Sequence, residues 1–274
     1  MLPRGGDTGC DDAPVRGRHV VVAVGAVVAV VAVVAVVGGS LATSSLASAS
    51  AVASHEERLV VGTSAGGRDL VAVHRWTDGA TRTTLVIGSM HGDEPAGTRV
   101  VRRLRSAPVP PGADLWLVPT VNPDGAAAGR RTNGHGVDLN RNFPRHWVEA
   151  GAGTTTWSGP APASEPETRA VQALLRRVRP GTVVVLHQPL FGVDSYRAKS
   201  MTLVRRLARA LDLPVRSFDC GGGCHGTLTD WHNARLPGRA VTVELARTAT
   251  DWRVRHTARG LLQVATPSTT EGFR

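Results

Sequence analysis

The chain has 274 residues, 42% of them hydrophobic and 20% charged, a balance that suits one globular domain with appendages. Its formal net charge is +10, carried almost wholly by arginine, with Lys199 the sole lysine. No basic cluster is interleaved with aromatics, and only 4% of residues are aromatic, which counts against nucleic acid as a partner and leaves anionic wall polymers or lipid head groups.

In chain order, a short basic region (1–19) holds Arg16, Arg18 and His19. It precedes an uncharged run of 18 residues, Val20 to Val37, about 27 Å long as a helix. The run is long for a signal-peptide core and just long enough for a membrane span. An Ala/Ser-rich segment (38–55) with small-x-small sites such as Ala49-Ser50-Ala51 follows. Two readings fit: a cleaved export signal, or a transmembrane anchor with a flexible stalk. Both leave the remainder outside the cytoplasm, secreted or membrane-anchored, because the basic flank precedes the apolar run.

From 56 to 267 apolar strands alternate with helical patterns, and 268–274 is a tail. "RLVVGTSAGGRDLVAVHRW" reads as a hairpin turned at Gly66-Gly67, and "TTLVIGS" as a buried strand followed by a helix over Glu94–Arg105. "DLWLVPTV" is a strand. The polar segment from Asn122 to Ala163 is read as active-site wall, since long ordered loops are usually functional. A helix capped at Ser164 follows, then the strand "TVVVLH", the helix "KSMTLVRRLARAL", the strand "RAVTVELA" and the helix "RVRHTARGLLQVA". The alternation predicts a single α/β domain with a mixed, mostly parallel central sheet flanked by helices and preceded by the N-terminal signal or anchor helix.

Ligands of open α/β sheets lie beyond the carboxyl ends of strands. Three such ends here carry His91 with Glu94, His187, and Glu244. Two imidazoles and a carboxylate make the donor set of a catalytic zinc site with a fourth position for water, and Glu244 is then placed to move that water's proton. Cys220 and Cys224 share the Gly-rich loop "DCGGGCHG" and are read as a disulfide, with a metal held by Cys220, Cys224 and His225 as the alternative. Cys10 lies ahead of the apolar run.

The ordered pieces "HGDE", "NPDG", "GVDLNRNFP", "WSGPAPASEPET", "VVVLHQPL", "GTLTDW" and "AVTVEL" resemble the zinc carboxypeptidase family across about Leu59 to Ala265. The resemblance is closest to its murein peptide amidase branch, which cuts the γ-D-glutamyl–diaminopimelate bond. It implies one zinc ion held by His91, Glu94 and His187, Glu244 as general base, and Arg131 (Arg130 being the alternative) on the carbonyl oxygen. It implies also that Asn140 and Arg141 grip the substrate's terminal carboxylate, for which a guanidinium fork is suited.

The family's mobile-loop tyrosine has no counterpart in "HGTLTDWHN". Trp231 there is read as core, and Asp230 as a helix cap or a partner for a substrate amino group. The expected function is an exported zinc metallocarboxypeptidase or amidase acting on peptidoglycan-derived peptides. The alternatives are a general metallocarboxypeptidase, an N-acyl amino acid deacylase, and a noncatalytic wall-binding module.

Overall fold

A computed structural model of the chain describes residues 53–221 and 224–266; the apolar run at 20–37, the segment leading from it to residue 52 and the tail from 267 lie outside the described residues. In chain order the elements are β1 (Ser54–Thr63), β2 (Asp69–Thr77), β3 (Arg82–Ile87), α1 (Pro95–Ser106), β4 (Ala113–Val118), α2 (Pro123–Ala128), α3 (Pro166–Val178), β5 (Thr182–His187), β6 (Leu190–Asp194), α4 (Met201–Leu211), β7 (Val215–Arg216), α5 (Leu228–Arg235), β8 (Arg239–Ala246) and α6 (Asp251–Ala265).

The eight strands form one sheet in the order β1-β2-β4-β3-β5-β8-β6-β7. Its middle, β4-β3-β5-β8, is parallel. These strands are near-continuous apolar runs because helices cover both of their faces. The β1–β2 hairpin, turned at Gly66-Gly67 as its sequence predicts, adds antiparallel strands at one side, and β6 runs antiparallel to β8 at the other. On one face α1, α4 and α6 pack Val100, Leu104, Leu207 and Leu261 against Val86, Val184 and Val243. On the other, α3 and α5 set Leu175 and Trp231 against Leu85, Val183 and Val185. Trp231 is 3% exposed and tilts against Phe143, so the core reading holds for it. No helix among the described residues is long and apolar enough to cross a membrane.

In α1, the buried Ala96, Gly97, Val100, Val101 and Leu104 recur at helical spacing while Arg102, Arg103 and Arg105 face out. Gly97 lets the helix touch the sheet: a Cβ there would sit 1.4 Å from the Gly88 carbonyl oxygen.

Between β4 and α3 the chain runs for some forty residues with little regular structure, and three fully buried asparagines hold it. Asn122 accepts from Gly125 N (2.8 Å) and donates to Arg131 O (3.0 Å). Asn133 accepts from His135 N and Val137 N and donates to Glu165 (2.7 Å) and Glu167 (3.1 Å). Asn142 donates to Ser158 O, Ala161 O and Ser164 Oγ. Side-chain amides thus replace the ladder bonds that a regular element would supply. They also move the start of α3. Ser164 Oγ is engaged with Asn142 and Glu165, so the N-cap residue is Glu165 rather than Ser164.

One buried group gives the fold an acid sensitivity of its own. His232 on α5 is fully buried, and burial, aided by the Lys199 ammonium, pushes its pKa down to about 4. An unfolded histidine titrates near 6.5. Between those values the unfolded chain binds the extra proton, so the contribution is complete above about 6.5 and is lost as pH falls toward 4. At about 1.4 kcal/mol per pH unit this amounts to roughly 3 kcal/mol. Denaturant midpoints of the metal-free protein at pH 7.5 and 4.5 should therefore differ less in His232→Leu than in wild type. Equal differences would put the acid sensitivity elsewhere.

Candidate active site

β3 and β5 are adjacent and parallel, and their carboxyl ends bring His91 and His187 together with ring centroids 4.9 Å apart. Glu94, at the cap position of α1, makes no cap bond and turns its carboxylate between the two rings. Oε1 lies 2.8 Å from His91 Nδ1 and Oε2 lies 3.1 Å from His187 Nδ1. All three residues are buried, and their donor atoms lie within 4.8 Å of one another. The structure thus holds a buried His-Glu-His group able to take one metal ion, with both histidines offering the same nitrogen. The donor set is that of catalytic zinc. The outer nitrogen of His91, Nε2, is 3.0 Å from Asp138 Oδ1, the carboxylate–histidine pairing that orients a ligand ring. His187 Nε2 is buried with no partner among the described residues.

Asp138 is the residue the sequence reading passed over. It is fully buried and joins three functions: Oδ1 also accepts from Asn140 N (2.9 Å), and Oδ2 accepts from Arg131 Nε (3.0 Å) and Nη2 (2.7 Å). Arg131 Nη1 lies 3.5 Å from Glu94. Burial alone would raise the Asp138 carboxyl and lower His91. The charges and hydrogen bonds win for both: Asp138 falls well below the carboxylate range, with His91 and Arg131 beside it, and His91 rises to about 9. Glu94 likewise falls despite burial, because both histidines bond to it.

Glu244 stands on β8 directly across from His187 on β5. It is 9% exposed and accepts one backbone bond, from Leu190 N at 3.2 Å. Burial pushes its pKa up, opposed by the His187 charge. Gln188, joined to Pro189 by a cis peptide, fixes the ground beneath: it accepts from Ala96 N (2.9 Å) and donates to Ala246 O and Arg247 O.

One cavity is lined by the three donors together with Arg131, Asn140, Arg141 and Glu244. Arg130 is turned elsewhere, its Nη2 donating to Asn133 O at 3.0 Å. Asn140 Oδ1 accepts from Leu228 N, the first residue of α5. Arg141 donates to Asn140 O, and its Nη2 lies 3.6 Å from the sulfur of Cys220. Cys220 and Cys224 are joined in a disulfide that forms part of the cavity wall. Asp230 is neither a side-chain cap nor free: Thr227 caps α5, and Asp230 takes Arg145 Nε (3.2 Å), Arg197 Nη1 (3.3 Å) and His146 Nδ1 (2.6 Å).

Gly92, between His91 and Glu94, has a packing reason beyond spacing: a Cβ there would lie 1.9 Å from the backbone carbon of Gly125 in "NPDG". The two motifs touch backbone to backbone. Gly92→Ala should cost on the order of 2–3 kcal/mol in stability and weaken zinc binding, because His91 and Glu94 flank the displaced backbone. Denaturation and zinc titration of the purified variant check both, and a variant of wild-type stability would show that the contact yields.

A zinc carboxypeptidase family profile matches residues 111–189. Murein peptide amidase A of Escherichia coli (strain K12) is 33% identical over 180 residues, covering 61% of this chain and 72% of the relative. The crystal structure of murein-tripeptide amidase from Escherichia coli O157 superposes with a TM-score of 0.65 at 28% identity, over 77% of this chain and 93% of the other. Carboxypeptidase A of Helicoverpa armigera, at 18% identity and a TM-score of 0.66 over 76% of this chain and 67% of the other, shares the fold.

Proposed function

The chain belongs to the zinc carboxypeptidase family, and from that premise we propose that it is an exported amidase that hydrolyses an amide bond near the C-terminus of murein peptides. The single observation that carries this reading is the His91–Glu94–His187 group with Glu244 across the strand register from His187. The substrate class rests on the 33% identity to a murein peptide amidase. Export rests on the uncharged run from Val20 to Val37 behind its basic flank.

His91, Glu94 and His187 would hold the zinc. Zinc, when bound, supplies Lewis-acid polarisation and a lowered water pKa at an open position. Asp138 accepts the Nε2 proton of His91 and so directs Nδ1 inward. Asn140 and Arg141 take the substrate's terminal carboxylate, the guanidinium offering two parallel donors. Arg131, held by Asp138, presents its remaining donors to the carbonyl oxygen as negative charge gathers there. The Glu244 carboxylate takes the proton of the attacking water and hands it to the leaving amine, so that one water is consumed and one amine and one carboxylate are released.

The test uses the zinc-loaded protein with L-Ala-γ-D-Glu-diaminopimelate beside an ordinary peptide of L-residues, with products followed by mass spectrometry. Release of diaminopimelate, abolished by a chelator, is the expected result. Trimming of the ordinary peptide alone would make the chain a general carboxypeptidase. Cleavage of neither peptide while zinc is bound would leave the deacylase and the wall-binding module.

A further inference from the structure

Beyond Asn140 and Arg141 the cavity continues between β6, β8 and α5, and its charges there are unevenly spent. Asp194 ends β6. Gly192 pairs with Glu244 and Val193 is buried in the core, so strand alternation puts Asp194 on the Glu244 side of the sheet, lining the cavity. Its carboxylate is half-buried, yet no cationic side chain among the described residues bonds to it. Two backbone amides, Tyr196 N (2.8 Å) and Phe218 N (3.0 Å), both donate to Oδ1. A desolvated carboxylate without a cation is costly unless a ligand completes it. Burial raises its pKa, in keeping with an anion short of partners.

Three residues on, inside the turn closed by Ala198 N to Ser195 O (3.3 Å), Arg197 lines the same cavity with its guanidinium over the Tyr196 ring. Arg197 Nη1 lies 3.3 Å from Asp230 Oδ2 and 2.7 Å from His146 Nδ1, and Asp230 is shared with Arg145, so Arg197 has only part of one carboxylate as its counter-charge. The cavity thus offers, within one short loop, an anion bonded only by backbone amides and a cation that shares its carboxylate.

We propose that Asp194 and Arg197 form a reader for an amino-acid head at the far end of the substrate's C-terminal side chain, Asp194 binding the ammonium and Arg197 the carboxylate. The inference rests on the proposed function, in which Asn140 and Arg141 hold the main-chain carboxylate and so aim that side chain down the cavity. Neither residue alone suffices to select such a head: Asp194 by itself would accept a lysine, and Arg197 by itself a simple diacid. Together they favour a side chain that ends in both charges and leave one or other group unmatched against anything else.

The test compares kcat/KM on L-Ala-γ-D-Glu-X peptides, X being meso-diaminopimelate, 2-aminopimelate, which lacks the distal ammonium, or lysine, which lacks the distal carboxylate. Asp194→Asn should lower the diaminopimelate-to-aminopimelate ratio about 10- to 100-fold, the range of one charge-assisted hydrogen bond. Arg197→Gln should lower the diaminopimelate-to-lysine ratio by a similar factor. Zinc stoichiometry and denaturation midpoints establish that both variants fold. Ratios that stay constant while all rates fall together would overturn the reader and make both positions structural. A wild-type protein that cuts none of the peptides defeats the proposed function instead. Calorimetry with free meso-diaminopimelate then decides the reader: binding weakened by both substitutions keeps it, and absent or unaltered binding ends it.

Discussion

Glu244→Gln should retain one zinc per chain and bind the tripeptide with near wild-type affinity while kcat falls about 10²- to 10⁴-fold, the range assigned to a positioned proton carrier. Glutamine keeps the shape and can still accept the one bond that fixes Glu244, from Leu190 N at 3.2 Å, so the fold has no reason to change. What it cannot do is take a proton from water. Glu244 is also the carboxylate across from His187 in register and buried beside it. Metal analysis, calorimetry with uncleaved tripeptide and single-turnover kinetics separate the three quantities. Near-normal turnover with zinc in place would mean that another group carries the proton.

Asp138→Asn should act on three things at once. The wild-type carboxylate accepts from His91, Asn140 N and both Nε and Nη2 of Arg131. An amide has a single acceptor oxygen, so its NH₂ must face either the Arg131 guanidinium or the His91 Nε2, and one bonding pattern becomes donor against donor. Zinc affinity should fall about 10- to 100-fold, as for other partners that orient a ligand ring. The metal-free protein should lose on the order of 3 kcal/mol, because Arg131 loses its buried counter-charge. Zinc competition against a chromophoric chelator and denaturation of the metal-free form measure these separately. An Asp138→Asn variant with wild-type zinc affinity would leave His91 oriented by its own packing.

The parts of the molecule that could be read in advance are those where one physical rule dominates a short stretch. "TTLVIGS" and "TVVVLH" are buried on both faces, so burial writes itself as unbroken apolar sequence, and the rule about strand ends leads directly to His91, His187 and Glu244. Asp138 shows the opposite case. It sits inside "GVDLNRNFP", recognised there for Asn140 and Arg141, and its importance comes from partners that the topology delivers: His91 is 47 positions away. The helix α5 was missed because only Leu228, Trp231 and His232 of its eight residues are buried, too few to print a period. β6 and β7 were missed as well: β7 has two residues, both exposed, and β6 is held by pairing with β8 rather than by apolar alternation of its own. Asp194 went unread for the same reason, since its meaning depends on the strand that carries it. The asparagines of the long loop carry no periodic signature either. Their side chains serve as backbone, and only the fold says which amide or carbonyl each one meets.

The disulfide between Cys220 and Cys224 closes a very short loop and contributes only about 2 kcal/mol by chain entropy. Its weight lies in its neighbour, since one of its sulfurs stands 3.6 Å from the Arg141 guanidinium. The history of a preparation therefore becomes part of the reagent. The same polypeptide made in a reducing cytosol and in an oxidising compartment will carry the same metal ligands and the same Glu244, but different support behind the arginine assigned to the peptide terminus. Michaelis constants from the two sources should be compared only after the thiols have been counted.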